Sequence, residues 1–172
     1  MKRKDSDDAF SAFFAIEANR LQRFATFMCG DPDLAADLAQ EALARTYGAW
    51  SRLEMDEPGA YARRIIVNSL RDRRRRARVR RLRPLGAISS TTPSEENASI
   101  GRLGMTETLK TLSPIQRAVV VLRFYEDMTE RQISDLLDRP LSTVKSDLHR
   151  ALNTLRPLVV ADRQDAGGAR GN

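Results

Sequence analysis

The chain has 172 residues, 41% hydrophobic and 30% charged, with a net charge of +6, which allows two small domains and excludes a membrane-embedded fold. No apolar run reaches the roughly 20 residues a spanning helix needs. The start, MKRKDSDDAF, lacks the apolar core and cleavage site of a secretory signal, so a cytoplasmic protein is expected.

The first predicted helix is loaded with apolar side chains for a core: Phe10, Phe13, Phe14, Ile16, Leu21, Phe24 and Phe27. Gly30, Asp31 and Pro32 end it and start the next. Cys29, the single cysteine, cannot form an intramolecular disulfide and reads as a small buried hydrophobe. The second helix is predicted from Pro32 to about Trp50, with Leu34, Leu38, Ala42, Leu43, Tyr47 and Trp50 as its buried stripe. Asp33, Asp37, Gln40 and Glu41 share a separate polar face at three- and four-residue steps, which is most simply a solvated face. A loop, Ser51 to Glu57, leads to Pro58 and a third helix in which Tyr61, Ala62, Ile65, Ile66 and Ser69 face inward. Arg64, Asn68, Arg71 and Arg75 recur every three or four residues along its outer ridge.

That helix grades into RDRRRRARVRRLR, where Arg71 to Arg83 holds nine arginines, Arg74 among them, and one aspartate; this local +8 leaves the rest of the chain at −2. So concentrated a charge suits a polyanion. With no neighbouring hydrophobic span or lipidation motif, nucleic acid fits better than a membrane, and a solvated charge run is the plain alternative. Like charges at four-residue spacing repel, so residues 74–83 are expected to fray until phosphates neutralise them.

Pro84 to Gly104 has the composition of a linker, since SSTTPSEENAS contains no apolar side chain larger than alanine. Helix restarts around Leu109 and Leu112, with Ser113 as cap, Pro114 at the first position, Gln116 closing a capping box, and Ile115, Ala118, Val119 and Leu122 as the buried face. Thr129 and Gln132 form a second capping box ahead of an apolar stripe, Ile133, Leu136 and Leu137. Asp138, Arg139 and Pro140 make a turn, and Ser142 is the expected cap of a last helix that buries Val144, Leu148, Ala151, Leu152 and Leu155. This is the pattern of a helix-turn-helix. Its outward residues, Thr143, Lys145, Ser146, His149 and Arg150, can donate to phosphates and to purine acceptors in a major groove; a helical hairpin with a solvated face is the alternative. Residues 161–172 read as a disordered tail.

Together these segments resemble the extracytoplasmic-function sigma factors of bacterial RNA polymerase, in particular an actinobacterial branch. DLAADLAQEALARTYGAW is similar to the family's polymerase-binding helix and PGAYARRIIVNSLRDRRRR to its promoter-melting helix. LSPIQRAVVVLRFYEDMTERQISDLL with LSTVKSDLHRAL is similar to its promoter-reading domain. The resemblance implies an all-α fold of two small helical domains, residues 8–83 and 105–160, joined by a flexible linker, 84–104. It implies that Asp37, Gln40 and Glu41 dock on the beta-prime clamp. Arg64, Asn68, Arg71, Arg74 and Arg75 would lie on the minus-ten element, and the Ser51 to Glu57 loop would capture a flipped base. Thr143, Lys145, Ser146, His149 and Arg150 would read the minus-thirty-five element, and Leu109 to Phe124 would touch the beta flap. Core polymerase and promoter DNA are the implied partners, and an anti-sigma protein is admitted.

Two residues depart from the family pattern. Asp138 stands where glycine is common, though aspartate tolerates a left-handed conformation. Asp147, an acid in the reading helix, either accepts from a cytosine amino group or pairs with Arg150 three residues on. The only histidine, His149, has no second histidine to share a metal with, and reads as a groove or backbone contact. No cofactor or metal is expected, and no phosphate-binding glycine loop, metal-ligand cluster or activated nucleophile suggests an enzyme. A stand-alone operator-binding regulator would explain the helix-turn-helix but leave the Asp37 face and the arginine run without a role. A relaxed linker of about 21 residues averages ~25 Å end to end against a contour of ~70 to 75 Å. Promoter elements more than one turn apart, ~34 to 36 Å, would therefore stretch it.

Overall fold

A computed structural model describes residues 3–53, 58–81 and 100–168; among them there is helix and short turn but no strand. The chain divides into two units, Met1–Ala98 and Ser99–Asn172. No helix of the described residues is long and apolar enough to cross a membrane.

The amino-terminal unit packs α1 (Arg3–Cys29), α2 (Pro32–Ala49) and α3 (Pro58–Arg81) against one another, with a single 3-10 turn, Trp50–Arg52, closing α2. The α1–α2 corner follows from local chemistry. Gly30 takes a positive φ of 72° and donates its N–H to the Thr26 carbonyl at 2.7 Å, while Asp31 Oδ1 accepts from the N–H groups of Asp33 and Leu34 at 3.0 and 3.1 Å. Leu21, Phe24, Leu38, Ala42, Ala62 and Ile66 are fully buried and form the centre of the core.

The aromatic residues are less central than their periodicity suggests. Phe14 and Tyr47 are half exposed and Ile16 is more so, because periodicity marks a stripe without saying how far a neighbour covers its flanks. Glu17 holds the core register that the stripe Phe13, Leu21, Phe24 and Met28 defines, so Ile16 falls outside it. Trp50 is only partly buried and packs on Phe10 and Phe13 with ring centroids 5.1 and 5.2 Å apart. Cys29 is likewise partly exposed, its thiol 3.1 Å from the Asp31 carbonyl.

Helix α3 runs unbroken to Arg81, where charge repulsion led to an expectation of fraying from residue 74. Arginine is a good helix former, the side chains of Arg73 to Arg76 project into solvent that screens them, and Asp72 pairs with Arg75 at 3.6 Å. Residues 82 and 83, and the loop positions 54–57, lie outside the described residues.

The carboxy-terminal unit contains α4 (Ile100–Lys110), α5 (Pro114–Phe124), α6 (Glu130–Leu137) and α7 (Leu141–Gly168). Helix α5 is central: Ala118 to Leu122 are all buried, two more positions than one amphipathic face supplies. Both capping boxes form, Ser113 with Gln116 and Thr129 with Gln132. Buried Arg117 donates from Nε to the Leu109 carbonyl at 2.9 Å and from Nη2 to that of Leu112 at 3.4 Å, tying α5 to the turn that follows α4.

Three boundaries differ from expectation. Helix α4 begins at Ile100, inside the stretch assigned to the linker; a glycine costs a helix only about 1 kcal/mol, which packing of α4 on α7 offsets. Positions 84–99 of that stretch lie outside the described residues. Helix α7 starts at Leu141, with the Pro140 carbonyl accepting from the N–H groups of Thr143 and Val144 at 2.9 and 3.1 Å. Ser142 therefore sits in the first turn and is not the cap. At its other end α7 extends to Gly168, past the expected start of a disordered tail at 161, through helix-tolerant alanine, arginine and glutamine.

Candidate functional site

Three polar surfaces stand out from this framework, one on α7 and two on the amino-terminal unit. The turn before α7 is held tightly. Asp138 closes α6 in the left-handed region at φ 50°, ψ 57°, as its residue type permits. Arg139 donates its N–H to the Ser134 carbonyl at 3.0 Å, and the Ser134 hydroxyl donates back to the Arg139 carbonyl at 2.5 Å. Ile133, Leu136, Leu137, Val144, Leu148 and Ala151 are buried, fixing α7 against its neighbours. Leu152 is more than a third exposed, and Leu155 is only partly covered, so the buried stripe is shorter than predicted.

On the outer side of α7 the structure brings together Lys145, His149 and Arg150, all exposed, with Thr143 and Ser146 half buried beside them. The Ser146 hydroxyl donates to the Thr143 carbonyl at 2.9 Å. His149 Nε2 and Asn153 Nδ2 are 3.0 Å apart, so an amide hydrogen of Asn153 can donate to the ring. Lys145 Nζ lies 4.0 Å from a carboxylate oxygen of Glu130 on α6. Asp147 does not belong to this face: it is buried, with one oxygen 3.6 Å from Arg150 Nη1 and the other 3.5 Å from Arg139 Nη1. In the structure it pairs with Arg150, one of the two alternatives the sequence offers, and also with Arg139 of the turn, which lies outside helical spacing.

Along α3, Arg64, Asn68, Arg71, Arg74 and Arg75 are all exposed, on the side away from buried Ala62, Ile65, Ile66 and Leu70. On α2, Asp37 and Gln40 are exposed, whereas Glu41 is half buried and already engaged. Its Oε1 accepts from the Ser69 hydroxyl at 3.1 Å and from Arg45 Nη1 at 3.3 Å, which ties the α2 face to α3. A shallow groove bordered by Glu41, Arg45, Ser69, Arg73 and Arg76 runs between the two helices. A second, apolar groove lies between α1 and α2, lined by Phe10, Phe14, Leu43 and Tyr47, and reaches Gln40.

Sequence reasoning missed the pair beneath these surfaces. Arg63 Nη2 lies 2.9 Å from Glu17 Oε2, with side chains only 7% and 12% exposed. The signal was present in the register: Glu17 falls on the apolar stripe of α1, and Arg63 sits between inward-facing positions. Gly59 makes room for the arginine, since a Cβ there would stand 2.8 Å from Arg63 Nη1. Among the described residues, no three His, Cys, Asp or Glu side chains gather as metal ligands would.

Comparison with known proteins gives the same two-part division. Residues 13–80 match the family described as Sigma-70 region 2, and residues 102–155 the one described as Sigma-70, region 4. The chain is 35% identical over 158 residues to the RNA polymerase sigma-E factor of Streptomyces coelicolor, covering 91% of this chain and 89% of that one. It is 34% identical over 154 residues to the ECF RNA polymerase sigma factor SigL of Mycobacterium tuberculosis, covering 84% and 85%. Among solved structures, the sigma factor RpoE in complex with the anti-sigma factor NepR from Bartonella quintana shares the fold. Its TM-score is 0.69 at 21% identity, over 89% of this chain and 98% of that one.

Proposed function

The chain belongs to the extracytoplasmic-function family of RNA polymerase sigma factors, and on that premise we propose how its surfaces divide the work of starting transcription. It binds core polymerase, recognises the minus-ten and minus-thirty-five promoter elements and promotes melting of the duplex. Asp37 and Gln40 meet the basic beta-prime clamp directly, and Glu41 shapes that face through Ser69 and Arg45. Asn68 with Arg64, Arg71, Arg74 and Arg75 follows the minus-ten strand, where guanidinium groups suit phosphates. Thr143, Lys145, Ser146, His149 and Arg150 address the minus-thirty-five element, and the surface from Leu109 to Phe124 meets the beta flap. The protein makes and breaks no bond itself, works in the cytoplasm, and is a target for an anti-sigma protein.

What supports this reading is the presence in one chain of an acidic and amide face on α2 beside an arginine ridge on α3, with a helix-turn-helix in a separate unit. A stand-alone operator-binding regulator needs only the last of these. Transcription from a promoter library by core polymerase tests the reading: the full chain should confer initiation at defined sites, and core alone or the chain alone should not. Asp37→Ala should lower the affinity for core polymerase and leave the selected promoter sequences unchanged. Equal loss in both measurements would contradict the assignment of α2.

A further inference from the structure

Asp147 sits in the wrong place for an anion that touches DNA and in the right place to organise cations that do. Its side chain is 8% exposed, while those of its partners Arg139 and Arg150 are 35% and 67% exposed. One carboxylate therefore anchors two guanidinium groups at the boundary with solvent, one from the turn and one from α7. The separations of 3.5 and 3.6 Å are those of ion pairs rather than full hydrogen bonds, and Asp147 Oδ2 has no hydrogen-bond partner. An arginine has five N–H donors, so both guanidinium groups keep donors to spare.

The backbone of Arg139 is fixed independently. Ser134 binds both its N–H and its carbonyl, and the left-handed Asp138 precedes it. A long side chain leaving a rigid turn and steered at its tip by a buried carboxylate loses little freedom on binding, which is the condition for selective contact. From this geometry we propose that Arg139 is an additional DNA contact of the promoter-reading surface and that Asp147 is the positioning residue that aims Arg139 and Arg150 together. The proposal rests on the reading of α7 as the promoter-reading helix. It has an unusual sign. Asp147 adds one negative charge to a cationic surface, so removing it raises general attraction to DNA while loosening the aim of both arginines.

The test uses holoenzyme assembled from the full chain and core polymerase, and a duplex selected by the wild type from a library randomised upstream of the transcript start. Affinity is measured for this duplex and for one with the selected upstream bases scrambled, across a range of salt. Asp147→Asn should bind the scrambled duplex more tightly than wild type and lose about 10-fold in discrimination. A merely structural role would weaken binding to both. Arg139→Gln should lose discrimination as well and reduce the salt slope by about 1. The double variant should lose no more than the larger single effect, because the two residues act as one unit. Wild-type discrimination retained by both single variants would overturn the proposal. Should Asp147→Asn fail to fold, Arg139→Gln, at a half-exposed turn position, decides alone. A wild type that selects no upstream bases would overturn the reading of α7 and this proposal with it, a result distinct from failure of the variants.

Discussion

Each unit buries one carboxylate among arginines, yet the two acids serve different ends. Glu17 on α1 meets Arg63 on α3 with both side chains almost wholly covered, which joins the two helices, while the other oxygen of Glu17 holds half-exposed Arg20 at 2.9 Å on its own helix. Asp147 is as deeply covered, but the arginines it holds extend into solvent. The difference lies in the cation that bridges elements: Arg63 is covered and clamps α1 to α3, whereas Arg139, which bridges the turn to α7, reaches solvent. A covered pair resists disruption because either partner left alone is a buried charge, whereas exposed partners can exchange the carboxylate for a phosphate or a base edge.

Breaking the covered pair should give the largest effect. Glu17→Gln leaves Arg63 without its countercharge and is expected to cost about 3 to 5 kcal/mol of stability, read from denaturant unfolding followed by Trp50 fluorescence. Trp50 is the only tryptophan and belongs to the same unit, so it reports that unit directly. Little change in the midpoint would mean that water replaces the pair and that the clamp is not one. Arg150→Ala comes next. It should leave unfolding nearly unchanged and cost on the order of 1 to 3 kcal/mol in holoenzyme binding at one upstream base position. A uniform loss over all sequences would reduce Arg150 to a phosphate contact and weaken the contrast between the two regions. The smallest effect belongs to the frame around the reading surface: Thr129→Ala should lower stability by about 1 kcal/mol through loss of the α6 cap, with base preference intact in the same binding assay.

The parts of the molecule legible in the sequence were those governed by neighbours in the chain. Asp31, Ser113, Thr129 and Asp138 each satisfy or terminate a helix through groups two to five residues away, and each boundary they mark is observed. The outward faces of α3 and α7 follow for the same reason, since one helical period places all their residues. What escaped detection was set by contacts distant in sequence. Glu17 and Arg63 are 46 residues apart, and nothing local to either names the other. Phe14 and Tyr47 look like core residues by spacing but border an open groove, because coverage depends on where the neighbouring helix ends. The second partner of Asp147 lay across the turn, outside the three- and four-residue steps in which helical pairs are sought. Glu41 was read as one of an outward set, but Ser69 on another helix draws it partly inside.

The most direct measurement compares the affinity of the full chain for its selected promoter duplex and for a scrambled duplex of equal length, with and without core polymerase, at one fixed salt concentration. Strong discrimination with core polymerase and almost none without it is the result predicted for two small units that grip separate elements only as part of the enzyme. Discrimination by the purified chain alone, equal to that of the holoenzyme, would contradict the account.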